Sequence, residues 1–314
     1  MCKTGEYMKK EISLPSTDGI NRLHTVMWKP EGDIKAILQI SHGMLEYIER
    51  YDEFAKYLNE YGIMVIGNDH LGHGHTAEND DDLGYFDKEK SRTVVNDLYV
   101  VTKYAKEKYG NNIPYFLLGH SMGSFMARRY IMTYGKKLSG AIICGTGYTP
   151  GAVLLLGRIV AYITQKIKGE RYRSLLLKKA VFAGYNKKII NAKSDNAWLS
   201  REEENVRKYD KNKYNTFLFT VNGYQTIFDV LKFIQNKNNI KNIPVDLPVY
   251  LIAGEEDPVG NYGKGVTKIY NQYRKSGHNN ISMKLYEKDR HEILNEVDKD
   301  VVYEDVRSFI EENI

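Results

Sequence analysis

Tyr115-Phe116-Leu117-Leu118-Gly119-His120-Ser121-Met122-Gly123-Ser124-Phe125-Met126-Ala127 is the stretch on which the fold turns. It begins as a short apolar run ending in glycine, the pattern of a buried strand. From Met122 to Tyr134 it continues with apolar residues at helical spacing. Between the two lies Gly119-x-Ser121-x-Gly123. A serine on so sharp a strand-to-helix turn holds a strained backbone, and small residues two before and two after let strand and helix approach. The pattern predicts a nucleophile elbow; an ordinary tight turn with an idle serine is the alternative.

Outward from the elbow, β-branched runs alternate with helical patterns. Residues 34–41 (IKAILQIS), 63–68 (IMVIGN) and 141–145 (AIICG) read as buried strands, and 51–61 and 93–109 as helices. This alternation predicts an α/β fold, a mostly parallel sheet with helices on both faces. After Pro150 no strand appears until about Asn222, only helical stretches such as 152–167 and 197–209. Then 248–254 reads as a strand, 266–275 as a helix, 282–286 as a strand and 300–312 as a closing helix. The simplest organisation is a core of residues 1–149 and 223–314 with a helical cap inserted at 150–222. Residues 236–242 (NKNNIKN) read as an exposed loop.

The 314 residues are 42% hydrophobic and 27% charged, which excludes a disordered chain. The net charge of +5 is too mild to indicate a nucleic-acid partner. Cys2 and Cys144 cannot build a disulfide framework and suit a reducing compartment. Residues 1–6 carry charges with no apolar run behind them, so no signal peptide is expected. The longest uncharged apolar run, Gly151 to Gly157, is cut by Arg158 and falls short of the roughly 18 residues of a membrane span. A cytoplasmic protein is expected, with peripheral contact at a membrane surface.

A serine hydroxyl needs a base within hydrogen-bond reach, and the base an orienting acid. In chain order the acid then the histidine should follow the elbow. Only His278 and His291 qualify. His278 lies in the turn entering the 282–286 strand, the wrong end of a parallel sheet, whereas His291 follows that strand at its carboxyl end, where sites collect. His291 is therefore the expected base. The 248–254 strand runs into Glu255-Glu256-Asp257-Pro258, and the proline holds the loop extended after Asp257. Asp257 is the expected acid, with Glu255 and Glu256 as rivals. Two backbone amides should face the developing oxyanion. Met122, at a helix N-terminus, supplies one; Met44, in the His42-Gly43-Met44 loop after an early strand, is the candidate for the other.

His70, His73 and His75 match neither zinc-finger nor His-Glu-x-x-His spacing, so a glycine-rich loop is expected there rather than a metal site. Gly72 and Gly74 do not complete a dinucleotide fingerprint, and no cofactor is expected. Residues 152–163 are apolar nearly all round and are followed by Lys166, Lys168, Arg171, Arg173, Lys178 and Lys179. Such a segment either touches lipid or an anionic interface, or is a helix buried against the core with a solvated basic face beyond.

Taken together, these motifs resemble the monoacylglycerol lipase and lysophospholipase group of α/β-hydrolases, serine aminopeptidase-like enzymes. The matching stretches are His42-Gly43-Met44-Leu45-Glu46-Tyr47 with Arg50-Tyr51, Asp69-His70-Leu71-Gly72-His73-Gly74, the elbow, Gly254-Glu255-Glu256-Asp257-Pro258-Val259-Gly260, and Arg290-His291-Glu292-Ile293-Leu294-Asn295-Glu296. The resemblance implies a triad of Ser121, Asp257 and His291, an oxyanion hole from the Met44 and Met122 amides, a mobile cap and an acyl pocket. The expectation is a serine carboxylesterase acting on monoacylglycerols or lysophospholipids. An aminopeptidase or amidase, with Glu202-Glu203-Glu204 holding a free amine, a thioesterase, and a non-catalytic lipid-binding relative are the alternatives.

Overall fold

The amino end forms a hairpin that apolar patterning does not disclose. Strands β1 (Met8–Pro15) and β2 (Arg22–Lys29) pair antiparallel, Met8 opposite Lys29 and Pro15 opposite Arg22. β1 is an edge strand exposed along nearly its whole length, so it carries none of the alternation by which strands are recognised. Both belong to an eight-stranded sheet in the computed structural model, which describes residues 8–87 and 91–314. Cys2 and the amino-terminal stretch read for a leader lie outside the described residues.

The remaining strands follow the pattern read from the sequence. They are β3 (Ala36–Ser41), β4 (Ile63–Asn68), β5 (Tyr115–His120), β6 (Gly140–Cys144), β7 (Val249–Gly254) and β8 (Ile281–Tyr286). Helices α1 (Asp52–Asn59), α2 (Ser91–Tyr109) and α3 (Met122–Tyr134) connect the first of them. The order across the sheet is β1-β2-β4-β3-β5-β6-β7-β8, with β4 to β8 all parallel. Every residue of β3 through β7 is buried, as a sheet covered on both faces requires.

From Gly145 to Pro248 the chain adds no strand to the sheet. It runs through α4 (Gly151–Lys168), α5 (Leu175–Val181), α6 (Glu203–Lys211), α7 (Lys213–Thr216), α8 (Val221–Ile234) and α9 (Lys237–Ile240). α10 (Lys264–Lys275) and α11 (Lys299–Glu311) follow β7 and β8. One face of the sheet is closed by α1 and α11 through Phe54, Tyr303, Val306 and Ile310. The other is closed by α2, α3, α8 and α10 through Leu98, Met126, Val230 and Ile269.

Two local expectations need correction, and one open alternative is narrowed. Residues 197–209 are not one helix: a 3₁₀ turn at Ala197–Leu199 gives way to extended backbone at Ser200 before α6 begins. The carbonyls of Ala197 and Ser200 are held by the Arg290 guanidinium, and those of Trp198 and Leu199 by the amides of His291 and Glu292, so they are unavailable to a helix. Residues 236–242 contain a helical turn, α9, capped by the Asn236 side chain on the Asn238 amide, with Ile240 buried. Of the two readings left open for α4, both hold in part: one side packs on α8 and the other is exposed. Only Leu154 and Ala161 are buried, while Leu155, Ile159 and Ile163 are 56%, 46% and 50% exposed. The basic residues beyond α4 are partly engaged, Arg171 with Asp82 and Arg173 with the carbonyls of Asp80 and Leu218. No helix of the described residues is long and apolar enough to cross a membrane.

Candidate active site

Ser121 ends β5 and starts α3 with φ 52° and ψ −118°, a conformation that costs an L-residue about 1–3 kcal/mol. The neighbours explain why it is tolerated. A Cβ on Gly123 would stand 1.9 Å from the Ser41 carbonyl oxygen, and one on Gly119 2.3 Å from the Gly123 carbonyl oxygen. The Ser121 amide donates to the Cys144 carbonyl at 3.0 Å, fixing the turn to the next strand. The two glycines thus let α3 sit directly against β3 and β5.

His291 lies in the loop after β8, buried, its ring 4.9 Å from those of both Trp198 and His120. Its Nδ1 is 2.9 Å from Asp257 Oδ2, a short contact whose angles fall outside a well-aligned hydrogen bond. Nε2 of His291 is buried with no hydrogen-bond partner among the described residues. Asp257 follows β7 and is fully buried, its Oδ1 accepting from the Val259 amide at 2.8 Å. Glu255 and Glu256 are exposed. Burial and position therefore single out Asp257 among the three carboxylates. His278 sits in the turn entering β8, away from this cluster.

The third element is the loop after β3. Met44 lines the same cavity as Ser121, Met122 and His291. No backbone carbonyl among the described residues accepts its amide, and the Met122 amide stands at the first position of α3, where no preceding turn can accept it. Beneath this loop the rings of His42, His70 and His73 pile together, 4.3 Å and 5.2 Å apart, with Ser41 Oγ against His70 Nε2 at 3.0 Å. Burial drives His70 down to about 3 and His73 to about 4, so both are neutral spacers supporting the loop. Among the described residues the trio close enough to share a cation is Asp289, Glu296 and Asp298, and the Arg201 guanidinium already lies among them.

The cavity above Ser121 measures about 390 Å³. Its wall is mainly apolar, with Phe125, Leu154, Val160, Leu177, Phe228 and Val259 prominent. Besides tyrosines, its titratable lining comprises Glu46, His120, His291 and Glu292, with no lysine or arginine. Glu202-Glu203-Glu204 is elsewhere: it opens α6, where Glu203 pairs with Lys193 and Glu204 with Arg207 on the exposed surface.

Patterning gave no separate role to a buried charge chain behind the site. Glu46 Oε2 accepts from the Gly43 amide at 2.7 Å, its Oε1 lies 3.4 Å from Arg50, and Arg50 reaches Glu292. Asn205 of α6 donates to Glu292 at 2.7 Å, linking the helical segment to the residue after His291. A signal existed, because a Glu and an Arg four residues apart, just past an apolar strand, are improbable as an idle surface pair when the flanking Ile48 and Tyr51 are apolar.

The family model for serine aminopeptidase, S33, matches residues 32–298. A monoglyceride lipase from Rattus norvegicus is 26% identical over 287 residues, covering 88% of this chain and 83% of that protein. Among solved structures, a thermostable carboxyl esterase from Bacillus coagulans, in complex with glycerol, superposes with a TM-score of 0.89 at 31% identity over 97% of this chain and 98% of its own. A lipase in an open form gives the same TM-score at 25% identity, over 97% and 99% of the two chains.

Proposed function

The chain belongs to the serine aminopeptidase, S33, family of α/β-hydrolases, and from that premise we propose that it hydrolyses the ester bond of monoacylglycerols. In this reading Ser121 Oγ attacks the ester carbonyl and His291 Nε2 takes the proton. Asp257 orients the imidazole and stabilises its charge. The Met44 and Met122 amides receive the oxyanion, each worth about 10²–10³ in rate. His291 then protonates the departing glycerol, and water releases the fatty acid from Ser121.

The observation that carries the reading is the cavity itself: an apolar chamber with the strained serine and the unpartnered His291 Nε2 at its base. Its size suits a single acyl chain rather than a bulky ester. It also favours a neutral head group. A phosphate would be desolvated with no lysine or arginine in the wall, beside the Glu46 and Glu292 carboxylates. An amino-terminal ammonium fares little better, since both carboxylates already accept from Gly43, Arg50 and Asn205.

We read residues 150–222 as a cap over this chamber. Leu155, Ile159 and Ile163 recur every four residues along α4 and are exposed, while Leu154, Gly157 and Val160 line the cavity. The outer stripe suits transient contact with a membrane or micelle holding the substrate.

The test is gas chromatography of glycerol and fatty acid released from a monoacylglycerol, with lysophosphatidylcholine and an amino-acid anilide alongside. The monoacylglycerol is expected to be cleaved fastest. Cleavage of the anilide alone would overturn the assignment.

A further inference from the structure

We propose that His120 stands in the native protein as an imidazolium whose two N–H groups brace the oxyanion loop, the nucleophile turn and the backbone of His291 into one unit, making it a positioning residue for the reaction.

The geometry is decided by its two partners. His120 Nδ1 lies 3.2 Å from Glu46 Oε2, and His120 Nε2 lies 3.3 Å from the carbonyl oxygen of His291. A carbonyl and a carboxylate can only accept, and a neutral imidazole carries one N–H. Either neutral tautomer would therefore press a ring lone pair against an acceptor in a buried site. Only the doubly protonated ring satisfies both contacts.

The surroundings agree. Glu46 is ionised: its Oε2 accepts from the Gly43 amide at 2.7 Å and its Oε1 faces the Arg50 guanidinium at 3.4 Å. Glu46, Arg50 and Glu292 alone would leave one uncompensated buried negative charge, which His120 cancels. The other groups around it are the neutral His42, the His291 ring, and the Cys144 thiol, which burial keeps protonated, with Asp257 behind His291. Burial opposes protonation of His120, yet Glu46 outweighs it and raises the group above its ordinary value.

One carboxylate oxygen thus takes both the Gly43 amide and the His120 ring, coupling the loop that carries Met44 to the residue before Ser121. The far side of the same ring fixes His291 through its main chain. Gly43 is the residue that lets this close: a Cβ there would stand 2.5 Å from Glu46 Oε2 and 3.3 Å from His120 Nδ1.

The kinetic part of this inference rests on the ester-hydrolase reading; the protonation state does not. The experiment is nitrogen NMR of the full chain labelled with ¹⁵N-histidine, from about pH 5.5 to 7, with His120 assigned by its loss in His120→Gln. Both His120 nitrogens are expected to be of the protonated type throughout, and in Glu46→Gln one should revert to the pyridine type within that range. A pyridine-type nitrogen on His120 in the unaltered protein overturns the charge assignment. In parallel, His120→Gln should lower kcat on a water-soluble ester by about 10²-fold while KM stays within about threefold. An unchanged kcat overturns the positioning role. If the unaltered protein cleaves no ester, the functional reading fails while the nitrogen spectrum still decides His120. If His120→Gln does not fold, the unaltered protein and Glu46→Gln, whose assignment then comes from the shift each pair of ring nitrogens shows between them, still decide the charge state.

Discussion

Arg50 grips Glu292 with both arms of its guanidinium, 2.7 Å to each carboxylate oxygen, across 242 residues of chain. Both side chains are largely withdrawn from water. The pair joins the segment after β3 to the residue beside His291, so the two halves of the proposed catalytic apparatus share one buried clamp.

Breaking that clamp from one side strands a charge. Arg50→Met should cost about 3–5 kcal/mol in chemical denaturation, and Arg50→Met with Glu292→Gln should recover much of the loss. The pH dependence has a definite sign. Burial alone would raise the Glu292 carboxyl, but Arg50 outweighs it and holds the group below the usual carboxylate range. The stabilisation is therefore present above the ordinary glutamate value of about 4.3 and lost as pH falls below it. The unaltered protein should lose stability on acidification more steeply than the double variant.

Asp97 titrates with the opposite sign. It accepts from Ser16 Oγ, the Thr17 amide and Thr17 Oγ1, tying the turn after β1 to α2. Burial nonetheless raises its carboxyl from 3.8 to about 6. A raised acid favours the native state when protonated, so its contribution is present below 3.8 and lost as pH rises through about 6. Thermal denaturation of Asp97→Asn beside the unaltered protein should show the variant gaining about 2 kcal/mol in relative stability between pH 4 and pH 7. A constant difference across that range would mean that Asp97 is ionised in both states.

Much of this framework was legible because burial leaves a chemical trace. Strands covered on both faces must be apolar runs, and β3 through β8 all lie within a few residues of the positions read from the sequence. Gly119 and Gly123 mark the elbow because the backbones around them approach too closely for a Cβ. β1 escaped notice for the converse reason: an exposed edge strand such as Met8–Pro15 owes its conformation to the main-chain ladder with β2, which no side-chain pattern records. The 197–201 segment misled because its carbonyls are claimed by residues 290–292, contacts made only after folding. The His120–Glu46 contact is equally long-range, and no spacing within either motif announces it.

Gly157 lines the chamber and leaves room in it. It stands on α4 facing Phe228, where an added Cβ would lie 3.1 Å from the ring. Gly157→Leu should fill that part of the cavity. The ratio of kcat/KM for a long-chain over a short-chain monoacylglycerol should fall by about tenfold or more, with the short-chain value within about threefold of the unaltered protein. An unchanged ratio would place the acyl chain elsewhere.

The outer stripe of α4 can be tested without touching the chamber. Leu155→Glu with Ile163→Glu should weaken binding to phospholipid vesicles by roughly tenfold or more, measured by co-sedimentation. Turnover of a water-soluble short-chain ester should stay within about twofold. Unaltered vesicle binding would assign the exposed stripe no part in contact with lipid.

The proposed chemistry depends most directly on the reactivity of Ser121. Intact-mass and peptide-mapping mass spectrometry after treatment with a fluorophosphonate should find one adduct, on the peptide carrying Ser121. That adduct should vanish in Ser121→Ala and form about 10³-fold or more slowly in His291→Ala. An adduct on a different serine, or labelling of Ser121→Ala at the original rate, would contradict it.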